Sequence, residues 1–235
     1  MKLAVLLTQW KRNHLEEQIK SVLNQKDIRI DYLIVFQNEN HVDISDLKSK
    51  YNFIHVKSDY NTKFFGRFSY LFTLPVDFCI VLDDDIIPAP LCFKSYLSQC
   101  ISKNAIIGGN GRFGILSDYT TQLTQPPDIG LRKGLKVDFV GHLWCFKKDW
   151  LYYMFGTKPY TYDTGEDMHF CFSAKINGNI DSYVGEQLDV STKSDLSNNR
   201  YASDQFASYR TTKKELRMAV EQYWLDKGLK FIESN

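Results

Sequence analysis

Residues 79–85 read Cys-Ile-Val-Leu-Asp-Asp-Asp, an apolar run that ends in three consecutive carboxylates. A short apolar run bounded by polar residues is typical of a strand that is buried on both faces. In open α/β sheets, ligands bind at the carboxyl ends of the strands, which is where Asp83, Asp84 and Asp85 would lie. The alternative interpretation is an acidic turn that faces solvent and caps the following helix.

The three adjacent carboxylates also predict a bound cation. Charges of like sign repel, and partial burial strengthens the repulsion. Carboxylate oxygens are hard ligands that suit Mg²⁺ or Mn²⁺, and these ions keep positions open for the phosphate oxygens of a substrate. The pattern therefore predicts a Mn²⁺ or Mg²⁺ site at which metal and phosphate meet.

Strand and helix signals alternate around this run. Apolar runs and helical spacing predict strands at 3–7, 32–36, 53–56 and 78–82, and helices at 15–23, 46–51, 68–74 and 91–99. Asn13, with Glu16 three residues later, is placed to cap the first helix. This alternation predicts an α/β fold with a mainly parallel sheet flanked by helices, in a single domain over residues 1–235.

The second half of the chain gives less regular signals. They predict a strand at 105–107, a turn at 108–111, a loop at 117–134, strands at 137–140 and 143–146, and helices at 166–176 and 212–225. Gly141-His142 lies between the two later strands, and Asn177-Gly178 closes the first of these helices.

Composition limits the class of protein. Of 235 residues, 43% are hydrophobic and 14% aromatic, which is enough for one full-sized domain. The formal net charge of +1 argues against a nucleic-acid partner, because nucleic-acid-binding proteins carry a basic excess. Five cysteines, an odd number with no CxxC pair, are expected to be free thiols of a reducing compartment.

The amino-terminal apolar run, Leu3–Leu7, is too short for the hydrophobic region of a secretory signal. No run approaches the ~20 apolar residues of a membrane span. From the sequence we therefore expect a soluble cytoplasmic chain without a membrane span.

A second acidic cluster follows at 163–167, Asp-Thr-Gly-Glu-Asp. Glu166 and Asp167 lie at a predicted helix N-terminus, where the helix dipole favours the ionised form. They are candidates for the base that would deprotonate an acceptor hydroxyl, a role worth roughly 10²–10⁴-fold in rate. Ordinary capping of the helix is the other interpretation. His169 is two residues past Asp167 and therefore points to a different helix face, which disfavours it as a metal ligand.

Metal–diphosphate chemistry fits a sugar nucleotide. Breaking the anomeric C–O bond leaves negative charge on the departing diphosphate, which a metal stabilises. One alternative is a sugar-phosphate nucleotidyltransferase, but no Gly-rich, Lys-bearing loop follows the first strand. Another is a non-catalytic module that binds a sugar nucleotide or a glycan, but such a module needs no base.

At these residues the chain resembles the GT-A-fold nucleotide-sugar glycosyltransferases, over roughly 3–183. The opening strand and residues 8–25 resemble the start of family 2 members. The triad at 83–85 resembles the DxD motif, residues 141–146 the acceptor segment, and Glu166-Asp167 the ED motif. Gly66-Arg67 before the triad resembles the exostosin-type transferases of family 64. The resemblance implies a Rossmann-like, mainly parallel GT-A sheet and a nucleoside-diphosphate-sugar donor.

The resemblance also implies residue roles. Base and ribose would be held by Thr8, Gln9, Arg12, Gln37 and Asn38. Arg67 would reach the diphosphate or donor sugar, Asp83 the ribose or the metal, Asp84 the donor sugar, and Asp85 would be the main metal ligand. Asp167, beside Glu166, would be the base of an inverting reaction.

On the acceptor side the resemblance implies Gly141, His142 and Trp144, although His142 and Trp144 are also open to interpretation as core residues. Residues 1–107 would form the half that binds the nucleotide sugar, 108–190 the acceptor half, and 191–235 a C-terminal lid and helix. UDP-sugars are the favoured donors, although Gln37-Asn38 stands where family 2 carries an acid. Family 2 inverts configuration and family 64 retains it, so the stereochemical outcome stays open.

Overall fold

The computed structural model describes residues 1–39, 41–114, 134–196, 205–206 and 214–232. Within them one eight-stranded mixed sheet has the order β3-β2-β1-β4-β7-β5-β8-β6. The strands are β1 Leu3–Gln9, β2 Tyr32–Asn38, β3 Ile54–Ser58, β4 Phe78–Leu82, β5 Ile106–Arg112, β6 Lys136–Val137, β7 Phe139–Lys147 and β8 Ser182–Val184. The predicted α/β architecture, a largely parallel sheet flanked by helices, is confirmed.

The helices differ in length and in how they begin. They are α1 Leu15–Leu23, α2 Ser45–Lys50, α3 Gly66–Leu71, α4 Cys92–Lys103, α5 Leu151–Gly156, α6 Glu166–Gly178 and α7 Lys214–Asp226. The predicted cap of α1 is wrong: His14 occupies the cap position, and its side chain makes no capping hydrogen bond to the helix backbone. Glu16 is instead engaged by the Tyr51 hydroxyl at 2.8 Å and by Lys20 at 3.3 Å.

The amino-terminal half of the sheet is parallel. β1 pairs with β2 and β4, and β2 pairs with β3, all in parallel. Every residue of β4 is buried, as the apolar run predicted. Because parallel strands place their carboxyl ends at one edge, Gln9, Asn38 and Leu82 end their strands on the same side of the sheet. The polar residues that follow these strands therefore converge.

The predicted turn at 108–111 is wrong, because these residues lie inside β5. β5 is paired on both sides, antiparallel to β7 and parallel to β8. Its glycines admit bulky neighbours: a Cβ on Gly108 would lie 2.1 Å from the Cβ of Val140, and one on Gly111 would lie 2.4 Å from a Val184 methyl. Glycine in this strand therefore marks close packing and does not mark a chain reversal.

The two strands predicted around Gly141-His142 are one continuous strand, β7. The pairing register shifts between Gly108↔Trp144 and Asn110↔Gly141, which puts an extra residue into β7. His142 lies within this bulge with a φ of 67°. Its carbonyl oxygen accepts the backbone N–H of Asp83 at 2.9 Å. The bulge in β7 thus supports the end of β4. Bulges commonly redirect a side chain or end the pairing of two strands.

The remaining sequence predictions have mixed outcomes. The five cysteines, Cys79, Cys92, Cys100, Cys145 and Cys171, are all buried free thiols, as predicted. The predicted loop at 117–134 lies outside the described residues except for Gly134, as do residues 197–204, 207–213 and 233–235 of the predicted C-terminal lid and helix. Among the helices that the structure describes, none is both long and apolar enough to cross a bilayer.

Candidate active site

The acidic triad begins directly after β4 and is held by α1. Gln18, on a buried face of α1, donates from Nε2 to the carbonyl oxygens of Asp83 at 2.8 Å and Ile86 at 2.9 Å. The Nε2 of His14 hydrogen-bonds to the carbonyl oxygen of Asp84. These contacts fix the backbone turn that presents the three carboxylates. Neither residue is predicted from the sequence, because helical spacing alone does not show which polar side chain faces the sheet.

Asp84 and Asp85 share one arginine. Nη1 of Arg12 forms ion pairs with Asp84 and, at 3.4 Å, with Asp85. Burial raises the pKa of Asp84. Burial, reinforced by the neighbouring charges of Asp83 and Asp84, raises the pKa of Asp85 to about 8. When all three acids are ionised, the positive charge of Arg12 does not balance them. An added cation at the end of β4 would balance the excess negative charge.

A further acid reaches this end of the sheet from the C-terminal part of the chain. The segment after a short 3₁₀ turn at Val190–Thr192 runs beside residues 87–91: Ala89 N–H donates to Lys193 at 2.9 Å and Leu196 N–H donates to Ile87 at 2.8 Å. Asp195, in this segment, also raises the pKa of Asp85. Asp195 is not predicted from the sequence, because no local pattern relates it to the distant triad.

The donor set suits a cation that takes part of its coordination from substrate. Among the described residues, no group of three or more His, Cys, Asp or Glu side chains is placed so that it could hold a metal ion by itself. Mg²⁺ and Mn²⁺ sites that act on phosphates commonly use one or two carboxylates plus substrate oxygens. Asp85 and Asp83 fit that pattern, with carboxylates at a strand end where negative charge accumulates.

Arg67 joins the triad to the second acidic cluster. Its Nη1 binds Asp83 and its Nη2 binds Glu166 at 3.0 Å, and the residue is buried. The guanidinium lies 4.7 Å above the ring of Trp144. Trp144 is only 1% exposed and donates its Nε1–H to Val140, so its ring face is not open to a sugar. In this structure Arg67 links the carboxylates of Asp83 and Glu166, and its guanidinium packs against the ring of Trp144.

Glu166 and Asp167 begin α6 behind Gly165, whose φ is 78°. Burial, together with the charge of Asp167, raises the pKa of Glu166 to about 7. Arg217 of α7 binds both carboxylate oxygens of Asp167, at 2.9 and 2.7 Å, and Nη1 of Arg217 reaches the Thr164 hydroxyl at 3.3 Å. The Asp167 side chain is 15% exposed against 6% for Glu166, so Asp167 is the more accessible acid of the pair.

His169 lies away from the triad, in the core. Its Nε2 hydrogen-bonds to the carbonyl oxygen of Met154 at 2.9 Å, and its ring packs against Phe65 and Trp224. Burial lowers the pKa of His169 and so favours the neutral ring. The structure thus places His169 in the aromatic packing between α3, α6 and α7.

Residues predicted to hold the nucleotide base organise loops at the strand ends. Gln9 donates to the carbonyl oxygens of Trp10 at 2.6 Å and Arg12 at 3.3 Å. Asn38 accepts the backbone N–H of Thr62 at 2.8 Å and donates to the carbonyl oxygen of Lys63 at 3.2 Å. They thus shape the loops that would surround a nucleotide.

Two further residues predicted on this side, Gln37 and Thr8, are also buried or half-buried. Gln37 donates to the carbonyl oxygen of Val42 and contacts His55 at 3.1 Å. Thr8 keeps a buried hydroxyl for which the described residues supply no hydrogen-bond partner.

Glu39 occupies the position directly after β2, which extends to Asn38 and is two residues longer than predicted. Its Oε2 accepts the indole N–H of Trp10 and the Nε2–H of His41, both at 2.7 Å. Gln37-Asn38 was predicted to follow this strand because the strand was predicted to end at Phe36. An acid therefore does follow the second strand.

The segment that was predicted to face an acceptor has open space at one position. A Cβ added to Gly141 would meet no atom within 4 Å, unlike one on Gly108 or Gly111. The neighbouring His142 is half-buried at the bulge that supports Asp83. The structure thus places Gly141 and His142 next to the triad.

Comparison with known proteins finds likeness in structure alone. No protein-family profile and no curated protein sequence matches the chain. Among solved structures, S. aureus TarS matches with a TM-score of 0.57 and 13% identity, over 79% of this chain and 37% of that chain.

Two structures of the 1–349 portion of S. aureus TarS match in the same way. Both have a TM-score of 0.57 over 79% of this chain and 60% of that chain, at 13% identity and, for the complex with UDP, 14%. The chain thus spans less than two thirds of each of these structures. At such identities the likeness establishes a shared fold.

Proposed function

We propose that this chain is a metal-dependent glycosyltransferase that moves a sugar from a nucleoside-diphosphate sugar to a glycan or another hydroxyl acceptor. The observation that carries the proposal is a pair of ion pairs that share Arg67. They link Asp83, at the acidic end of β4, to Glu166, in the acid pair of α6. One end has the charge to take a metal and a diphosphate, and the other has a carboxylate to take a proton. A module that only binds a nucleotide needs no such second carboxylate.

Asp85 and Asp83 would hold Mn²⁺ or Mg²⁺, which supplies charge stabilisation to the departing diphosphate. Asp84 would orient the donor sugar from its position beside Arg12. Arg12 also contacts Asp85, so one cation bridges the two neighbouring carboxylates and reduces their repulsion. A positioned donor lowers the entropic part of the barrier.

Asp167 would serve as the base if the reaction inverts configuration. The acceptor oxygen forms a bond to the anomeric carbon, the bond from that carbon to the diphosphate breaks, and the acceptor proton passes to Asp167. Arg217 holds the carboxylate in a fixed orientation before the transfer. Asp167 would accept the proton as one of these two bonds lengthens. Glu166, held by Arg67, positions the start of α6.

A UDP-sugar is the favoured donor. Glu39 stands where family 2 enzymes carry an acid that binds uracil, and the indole N–H of Trp10 donates to its carboxylate. The fold that this chain shares with TarS has been solved in a complex with UDP, which supports the same nucleotide here.

A donor panel tests the function. Purified protein with Mn²⁺ is expected to release nucleoside diphosphate from at least one UDP-sugar, and the release should stop when EDTA removes the metal. Asp85→Ala should abolish it, whereas Asp27→Ala, at an exposed ion pair with Lys94, should not. Pyrophosphate release from a sugar phosphate and a nucleoside triphosphate would instead identify a nucleotidyltransferase.

A further inference from the structure

The loop between α5 and α6 exposes two tyrosine rings beside the acid pair. Tyr160 is 51% exposed and Tyr162 60% exposed, whereas Pro159 between α5 and Tyr160 is buried. The half-buried Thr161 separates the two tyrosines, so exposure alternates along the loop. Both rings therefore emerge on the outer side of the segment that leads into Glu166 and Asp167.

Tyr162 is fixed next to the site by an aromatic contact. Its ring packs edge-to-face with Phe65, with centroids 5.3 Å apart and planes at 70°. Phe65 directly precedes α3, whose Arg67 binds both acidic clusters. A contact of this kind occupies at most one face of the Tyr162 ring, so the other face is available to a ligand.

Tyr160 is fixed farther from the acid pair. Its ring lies 5.9 Å from that of Tyr223 on α7, and the Tyr223 hydroxyl donates to the Lys158 carbonyl oxygen at 2.7 Å. At its other end the loop is held by Arg217, which contacts Thr164. Arg217 and Tyr223 are six residues apart on one helix, a rise of about 9 Å. The loop thus runs along α7 away from Asp167, over a distance longer than one sugar ring.

We propose that Tyr162 and Tyr160 form an aromatic platform that binds successive residues of a glycan acceptor chain. This inference rests on the proposed glycosyl transfer. A tyrosine ring offers a flat apolar face and a polar tip, which match the C–H face and the hydroxyls of a sugar. Because the loop that carries the two rings leads directly into the acid pair at the start of α6, a chain lying on them would bring its terminal hydroxyl to Asp167. The acceptor class is therefore an oligosaccharide or polysaccharide.

The test measures how binding depends on acceptor length. Cello-, malto- and chito-oligosaccharides of one to six residues are titrated by ligand-observed NMR against protein saturated with UDP and Mn²⁺. In at least one series the hexasaccharide should bind at least tenfold more tightly than the monosaccharide. The double variant Tyr160→Ala/Tyr162→Ala should lose that difference, whereas Tyr162→Phe should keep most of it.

Two controls separate this inference from a loss of fold or of the proposed function. Tyr152→Ala removes a ring that is 67% exposed on α5 but has no contact with the loop tyrosines among the described residues, and should leave length dependence intact. UDP affinity with Mn²⁺ should be the same in every variant. Failure of UDP binding in the wild type would contradict the proposed function itself.

With UDP binding intact, two results would overturn the platform alone. One is the absence of length dependence in all three series, which is also the result expected if the rings instead hold a protein partner. The other is undiminished length dependence in the double variant.

Discussion

Arg217 and Asp167 form an ion pair in which one arginine nitrogen, Nη2, lies 2.9 and 2.7 Å from the two carboxylate oxygens. The two residues are fifty positions apart, and the pair ties α7 to the first turn of α6. Both side chains are largely buried, so each depends on the other for charge compensation. The carboxylate that we propose as the base is therefore part of the structural connection to the C-terminal helix.

Removing this arginine should destabilise the protein. Arg217→Ala leaves the Asp167 carboxylate without its partner and is expected to lower the free energy of unfolding by about 3 kcal/mol. Arg29→Ala, which breaks an ion pair whose arginine is exposed, should cost no more than about 0.5 kcal/mol. Urea unfolding measures both. Equal stabilities of the two variants would show that the Arg217 pair does not hold α7 in place.

A buried acid on α7 should make stability depend on pH. Glu221 is buried, its Oε1 has no hydrogen-bond partner among the described residues, and burial raises its pKa to about 7. Arg217 opposes this shift, and Asp138 and Asp167 add to it. The native state therefore binds more protons than the unfolded state between about pH 4.5 and 7, so stability falls as pH rises through that window.

Glu221→Gln should remove this part of the pH dependence. The variant is expected to be more stable than the wild type by roughly 2 kcal/mol at pH 8, with the difference approaching zero near pH 4. Glu215→Gln, at an exposed position on the same helix, is the matched control and should follow the wild type. Chemical denaturation at a series of pH values measures the difference, and a constant offset across the series would contradict the assignment.

The open position at Gly141 should separate transfer from folding. Gly141→Val adds a side chain to space that is empty within 4 Å of its Cβ, so stability should change by less than about 1 kcal/mol. Transfer to an acceptor should fall at least tenfold while UDP affinity holds. Gly108→Ala, whose Cβ would lie 2.1 Å from that of Val140, should instead destabilise by about 1–3 kcal/mol. If Gly141→Val left the transfer rate unchanged, the segment around Gly141 would not line the acceptor site.

Glu39 should control the choice of base. Glu39→Gln replaces an ionised acceptor that suits the N3–H of uracil, and the preference for UDP over CDP should fall by about tenfold, the value of one charged hydrogen bond. Competition binding with UDP and CDP measures the ratio. Glu17→Gln, on α1, is a control that should keep the preference. If Glu39→Gln left the ratio of UDP to CDP affinity unchanged, Glu39 would not contact the nucleotide base.

The sequence predicted the parallel half of the sheet well, because β1 and β4 are continuous apolar runs and each is followed by polar residues. It failed where neighbours decide the structure. Glycines 108, 109 and 111 suggested a turn, but they lie in a paired strand beside bulky side chains. The break at Gly141-His142 is a bulge, whose presence depends on the pairing with β5.

The candidate site followed the same division. The sequence predicted Asp83, Asp84 and Asp85 as site residues because they follow directly after an apolar strand, which is a local pattern. Arg217 and Asp195 carry no such pattern, since their relation to the site arises only when distant segments pack together. Arg67 was recognised, but its burial between Asp83 and Glu166 could not be read from its position in the chain.

The most direct test of the account is the affinity for UDP with and without Mn²⁺, measured by titration calorimetry on the wild type and on Asp85→Asn. The account predicts that Mn²⁺ tightens UDP binding at least tenfold in the wild type, and that Asp85→Asn, which keeps the shape of the side chain and removes its charge, loses this gain. Equal affinity for UDP with Mn²⁺ and with EDTA in the wild type would contradict the proposed metal site at the end of β4.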